Sequence, residues 1–194
     1  MKIKTVISDL GNVLVFVNHL CAGLDISKYN FFDKYLIRSK VRKYETGKIS
    51  TEEFYTWFGR KTCEDIDLKN LDKRFDSIFS LNEDMARLLY KLKKDYRLIV
   101  LSNTNEANHR FISRKYDVMG IFDDYALSYK VGYLKPDRRI YEVALEKALC
   151  RPEECVFIDD IKKFVDAAEG LGINAVQYKS HAYLEEKLRE LKII

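Results

Sequence analysis

Residues 155–177 read CVFIDDIKKFVDAAEGLGINAVQ, and the order of residue types in that stretch decides the fold. An apolar run over 155–158 has the length and continuity of a strand buried on both faces. Apolar residues then recur at helical spacing over 162–171, and a second apolar run follows over 173–177. Strand, helix, strand within so few residues is a crossover unit, which joins parallel strands. Working outward, further runs at 3–8 and 97–101 read as strands, with a weaker one at 125–128. Amphipathic stretches at 84–94, 106–116 and 137–149 fill the intervals. The pattern predicts an α/β fold, a Rossmann-like doubly wound parallel sheet with helices on both faces.

The alternation is interrupted once. From about Val17 to Leu81 the sequence carries helical patterns at 27–45, 51–60 and 65–79 and no convincing strand. We read this as an inserted α-helical cap over 17–81, with the core formed by 1–16 and 82–194. Ser50 followed by Glu53 is a capping box that fixes the start of the second cap helix.

Composition bounds the functional classes. The chain has 194 residues, room for one core domain and a small insertion. Hydrophobic residues make up 47% and charged residues 33%, and two prolines leave little scope for disordered linkers. A net charge of +4 without clustering argues against nucleic acid as a partner, while a small anionic substrate stays compatible. The opening MKIKTVISDLGNVLV is not read as a signal peptide, because Ser8 and Asp9 break its apolar run, and no stretch reads as a membrane span. Cys21, Cys63, Cys150 and Cys155 form no C-x-x-C pair, which disfavours thiolate metal ligation and fits reduced thiols in a cytoplasmic protein. A monomer is the default expectation.

Ligands of open parallel sheets bind beyond the carboxyl ends of the strands. Four such ends carry chemistry here: Asp9-Leu10-Gly11-Asn12, Ser102-Asn103-Thr104, Lys135 in the segment after the weak strand, and Asp159-Asp160. Together they offer three carboxylates, one ammonium and several neutral donors, an inventory for holding a divalent cation against a phosphate. A carboxylate can attack phosphorus only if positive charge offsets the repulsion between two anions. Lys135 and a magnesium ion (Mg2+) held by Asp9, Asp159 and Asp160 would provide it. Each residue also has an ordinary reading. Asp159 or Asp160 can cap the helix starting near 161, Ser102 or Asn103 can cap the helix after them, and Lys135 can be a surface lysine beside a proline turn.

The four segments resemble, in order, the motifs of the haloacid dehalogenase superfamily: ISDLGNVLV (7–15), LIVLSNTN (98–105), GYLKPDRRIYEVAL (132–145) and VFIDDIKKFVDAAEGLGI (156–173). The wording is similar to the bacterial alpha-D-glucose-1-phosphate phosphatase type. The resemblance implies Asp9 as nucleophile and metal ligand, and Ser102 as phosphate binder. It implies Lys135 as the cation between nucleophile and phosphate, and Asp160, assisted by Asp159, as metal ligand. Gly11 would lend its carbonyl to the metal, and donors at Gly11, Asn12 and Asn103 would complete the phosphate site. The implied activity is hydrolysis of a small phosphorylated metabolite, such as a sugar phosphate.

Two departures from the family pattern matter. Where relatives carry a second aspartate two residues after the nucleophile, this chain has Gly11, so the usual proton donor is missing. Its loss costs about a hundredfold to ten-thousandfold in rate, least for a leaving oxygen that is already acidic. His19 or Asn18 could replace it. In the last motif a polar anchor has become Phe164, which we expect to change how the loop is held without loss of metal. Two other readings stay open at this level: a metal-independent haloacid dehalogenase, which has no need of Asp159 and Asp160, and a catalytically weak binding or regulatory protein on the same fold. His109 and His181 are given no chemistry. The aromatic residues Tyr44, Phe54, Tyr55, Trp57 and Phe58 are read first as core of the cap, with a place for some of them on the cleft left open.

Overall fold

A computed structural model describes residues 2–18, 30–62 and 66–194, the side chain of Arg74 apart. His19, Cys21, Cys63 and the predicted helix starts at Ser27 and Asp65 lie outside the described residues. The sheet is built from β1 (Thr5–Ser8), β4 (Arg97–Ser102), β5 (Asp124–Leu127), β6 (Cys155–Asp159) and β7 (Asn174–Gln177), in the spatial order β5-β4-β1-β6-β7. Every pairing is parallel, and Thr5 of the central strand faces Arg97 on one side and Cys155 on the other. The weak run near 125 is therefore a full edge strand. The order reverses at β1, so the carboxyl ends of β1, β4 and β6 open onto one crevice.

Alternation of side chains sends Val6, Val100, Val156 and Ile158 to one face and Ile7, Ile99, Leu101 and Phe157 to the other, all fully buried. The second face is covered by α7 (Arg138–Ala148) and α8 (Lys162–Glu169) through residues such as Tyr141, Ala144 and Ala168. On the first face pack α4 (Glu83–Leu92), α5 (Glu106–Lys115) and α9 (His181–Glu190), with the one-turn α6 (Ser128–Val131) following β5. Helices α4, α5, α7 and α9 begin where short polar side chains take orphan N–H groups: Asn82, Asn105, Asp137 and Ser180 each accept from the first turn. Asn82 also donates to the Val13 carbonyl (2.7 Å) and the Tyr178 hydroxyl (2.8 Å), which anchors the end of the insertion to the core. Among the described residues, no helix is long and apolar enough to cross a membrane.

The expectation of an insertion without strands is corrected. β2 (Val15–Val17) and β3 (Phe79–Leu81) pair antiparallel, Val15 opposite Leu81 and Val17 opposite Phe79. Only three residues long, VFV and FSL, each strand is too short to give a period-two signal of its own. The ribbon forms because both ends of the insertion return to the same place. Between its strands run α1 (Phe31–Glu45), α2 (Thr51–Thr62) and α3 (Leu71–Ile78). The capping box forms at the start of α2: the Ser50 N–H donates to the Glu53 carboxylate (2.7 Å), and the Glu53 N–H to the Ser50 hydroxyl (3.1 Å). Ion pairs of Arg114 with Asp72 and of Lys115 with Asp76 tie α3 to α5. At the turn after α1 the chain passes so close to the core that a Cβ on Gly47 would collide with the Tyr129 carbonyl oxygen, and its φ of 68° also favours glycine.

Candidate active site

The strand ends bring Asp9, Lys135, Asp159 and Asp160 together. The Lys135 ammonium lies 3.0 Å from Asp9 and 2.5 Å from Asp159, and its third donor reaches the Leu101 carbonyl at 3.1 Å. Three donors and three acceptors leave nothing unpaired. The rings of Phe157 and Phe164 flank the ammonium at 5.5 and 5.1 Å, so the apolar residue in the last motif contributes a cation–π wall to Lys135. Lys135 is 3% exposed, which rules out the surface-lysine reading.

Asp9 is aimed by its own loop. Its N–H donates to the Ile158 carbonyl (2.9 Å), and one of its carboxylate oxygens accepts from the Leu10 N–H (2.7 Å). Asp159 is held more tightly: one oxygen accepts from the Ile161 N–H (2.8 Å), the other from Lys135. The helix-cap reading of Asp159 and Asp160 does not hold, since Ile161 is the N-cap of α8 and its first turn takes no side-chain cap bond; Asp159 steadies the turn before α8 and belongs to the charged cluster. Burial raises its carboxyl above the usual range, Lys135 opposes the rise and Asp9 adds to it. Asp160 is half-buried, and burial followed by the Asp9 charge raises its carboxyl as well. Its partner is the Asn12 amide, at 3.4 Å.

Asp9, Asp159 and Asp160 can each offer an oxygen within 4.8 Å of the others. Three convergent carboxylates are hard donors, and clustered negative charge next to a single ammonium suits a divalent cation such as magnesium. The residues present fit that ion.

The neutral donors divide. Ser102 is 2% exposed at the end of β4, and its hydroxyl takes no hydrogen bond among the described residues. Asn103 exchanges two bonds with the backbone of Lys135: its carbonyl accepts from the Lys135 N–H (2.7 Å) and its amide donates to the Lys135 carbonyl (3.2 Å). Asn12 accepts from the Val17 N–H (3.2 Å) while donating to Asp160, and its φ of 53° is one that asparagine tolerates. These two amides brace the loops. Asn105, rather than Ser102 or Asn103, caps α5. Gly11 follows Asp9 by two residues with a non-left-handed backbone, and a Cβ added to it would meet only Val17 Cγ2, at 3.9 Å.

A cavity of about 310 Å³ opens above Gly11 and Ser102, between α1, α2 and α3 on one side and the strand ends on the other. Of the aromatic residues read from sequence as cap core with some open to the cleft, Tyr44, Phe54, Tyr55 and Phe58 are buried and stand in its wall, whereas Trp57 does not line it. Glu45 lines it too, and sequence reasoning missed it. A signal was present: an acid at the last position of a helix, next to Arg42 and Lys43, opposes the helix dipole. Half-buried and without a hydrogen bond or ion pair among the described residues, its carboxyl is pushed up to about 7 by burial. Asn18 contributes the N–H that bonds the Ile78 carbonyl at the end of the ribbon (2.8 Å).

The arrangement has relatives. D-ribitol-5-phosphate phosphatase of Bacteroides thetaiotaomicron is 25% identical over 200 residues, covering 96% of this chain and 97% of that protein. A HAD family enzyme of the same organism, solved in complex with magnesium and inorganic phosphate, matches with a TM-score of 0.78 and 26% identity over 91% of this chain and 94% of that one. A HAD-like family hydrolase from Porphyromonas gingivalis, 24% identical, shares the fold with a TM-score of 0.79 and 99% of each chain covered. A family model for the haloacid dehalogenase-like hydrolases matches residues 3–172, a span that includes all four strand ends. The chain belongs to the haloacid dehalogenase-like hydrolases.

Proposed function

We propose that the chain is a magnesium-dependent phosphomonoesterase acting on a small phosphorylated metabolite, with an aspartyl phosphate formed on Asp9. The observation that carries this is the Asp9 carboxylate paired with a fully buried lysine beside two further carboxylates. A carboxylate dehalogenase has no use for the extra acids. Asp9 attacks phosphorus and the bond from phosphorus to the leaving oxygen breaks, the alcohol taking its proton from water because Gly11 offers none. Water then attacks the phosphorus of the acyl phosphate, which returns the Asp9 carboxylate and releases inorganic phosphate. Lys135 offsets the charge that brings two anions together, and the Ser102 hydroxyl donates to a phosphoryl oxygen. When bound, magnesium would be held by Asp9, Asp160, Asp159 and the Gly11 carbonyl and would supply the remaining positive charge. Residues 17–81 act as a cap on the core of 1–16 and 82–194, excluding water and selecting the leaving group.

The likeness to D-ribitol-5-phosphate phosphatase supports sugar and polyol phosphates as the first esters to try. With magnesium present, phosphate release from a panel of such esters and from acetyl phosphate is the test. Release that a chelator stops and that Asp9→Asn lacks is the expected result. Equal release by Asp9→Asn, or release of halide from a 2-haloacid in chelator, would overturn the proposal.

A further inference from the structure

The walls of the cavity above Ser102 carry information about the leaving group. A polyol chain presents a hydroxyl on nearly every carbon, and each buried hydroxyl without a partner is costly. Outside the cap the polar side chains of the lining are Ser102, Asn103, Thr104, Asn105 and Asn108, and of these the Asn103 amide is held by the Lys135 backbone and the Asn105 side chain by the start of α5, so few remain to meet several hydroxyls. On the side of α1, α2 and α3 the wall is built, Glu45 apart, from rings and branched aliphatic side chains. Tyr44 stacks on Phe54 with centroids 4.5 Å apart, Phe54 on Phe58 at 6.0 Å, and Val41, Phe75 and Ile112 close the remainder. The Tyr44 hydroxyl is already engaged with Thr51, at 3.0 Å. Glu45 is the one carboxylate in the wall among the described residues, and it is unpaired there. An unpaired carboxyl in an apolar chamber adds nothing to folding. It makes sense as the complement of a single donor on a bound molecule.

We infer that this chamber selects a phosphomonoester whose leaving group is a compact, largely apolar body, aromatic or branched, bearing one hydrogen-bond donor that meets Glu45. The inference rests on the phosphatase reading above and narrows its substrate class away from polyols. The donor can be a hydroxyl or an ammonium, which share the chemistry that a lone carboxyl recognises.

Esters of primary alcohols allow a fair comparison, because the bond broken is the same in each. Initial rates with magnesium are measured for 2-phenylethyl phosphate, its 4-hydroxy and 4-aminomethyl derivatives, sn-glycerol 3-phosphate and ribitol 5-phosphate. The expected result is a kcat/KM for the aryl esters roughly tenfold or more above both polyol esters, with one donor-bearing derivative ahead of the plain ester through a lower KM. Glu45→Leu should bring the KM ratio between that derivative and the plain ester to about one, and the hydroxyl and ammonium arms tell which donor it serves. A polyol ester turned over better than every aryl ester overturns the inference and leaves the phosphatase reading standing. A KM ratio unchanged in Glu45→Leu removes Glu45 from it. No phosphate from any ester or from acetyl phosphate defeats the phosphatase reading, and this inference with it.

Discussion

The Lys135 ammonium lies 2.5 Å from a carboxylate oxygen of Asp159, and neither side chain has any exposed surface. Two charges withdrawn from water are tolerable only because each completes the other's hydrogen bonds, and the third member, Asp9, leans on the same ammonium from 3.0 Å. The cluster carries more negative charge than one lysine neutralises. Folding and the binding of a cation by these carboxylates would therefore be linked through the same atoms.

Removing the cation should expose that link. Lys135→Met leaves Asp9 and Asp159 facing each other in an apolar site, at a cost of about 3–5 kcal/mol in unfolding free energy. Magnesium should restore part of the loss. Lys135→Arg is not expected to rescue, because a planar fork cannot reach the Leu101 carbonyl and two carboxylates from one point. Urea denaturation with and without magnesium measures this. A Lys135→Met protein within about 1 kcal/mol of wild type would show that the buried charges are compensated elsewhere.

The two adjacent aspartates should separate in their effects. Asp159 spends its oxygens on Lys135 and the Ile161 N–H, whereas Asp160 has one long bond from Asn12 and stands half-exposed. Asp160→Asn should keep most of its stability yet lose the magnesium response. In wild type that response is about 2.7 kcal/mol when the ion is at about a hundred times its dissociation constant. Asp159→Asn should lose folding stability even without the ion. Thermal unfolding across a magnesium titration distinguishes them, and an Asp160→Asn protein with the full metal response would move the ion's main ligand elsewhere.

How far the sequence carried the reading depends on how local each signal is. Runs such as CVFID and RLIVLS are buried on both faces, so the strands of the sheet and the chemistry at their ends were legible together. Pairings set by return of the chain were not. Val15–Val17 and Phe79–Leu81 are each too short to show a period, and their partnership joins segments that lie far apart in the sequence, on either side of α1 to α3. Asn103 and Asn12 illustrate a second limit. Their residue type fits a phosphate donor as well as a loop brace, and only the structure shows the bracing bonds to the Lys135 backbone and to Val17 and Asp160. Glu45 was hidden by habit, since a charge at a helix end reads as a solvated face.

Gly11 offers a gain-of-function test. Its backbone does not require glycine, and a new Cβ meets only Val17 at ordinary contact distance. Gly11→Asp would place a carboxyl beside the leaving oxygen. We expect kcat for an unactivated alkyl phosphate to rise by about a hundredfold, the lower end of what a positioned acid contributes. Acetyl phosphate, whose leaving group needs no proton, should change little. A folded variant that accelerates both equally, or neither, would mean that proton transfer does not limit turnover.

Glu45 makes stability depend on pH in a direction opposite to that of an ion-paired acid. Its carboxyl rises from 4.5 to about 7 on folding, so between those values the native chain holds a proton that the unfolded chain has released. Below about pH 4.5 both states are protonated and the group contributes nothing. As pH climbs through the window the native state is increasingly penalised, up to about 3 kcal/mol once the pH exceeds the folded value. The side chains that share its cavity wall include no other acid and no base among the described residues, and the neighbouring Tyr44 titrates higher still, its hydroxyl raised by burial. Glu45→Gln removes the titrating proton while keeping the shape. Its stability advantage over wild type should be small at about pH 5 and grow by about 1–3 kcal/mol by about pH 8, read from urea midpoints. An advantage that stays flat, or that shrinks as pH rises, would show that the carboxyl is solvated in the folded protein.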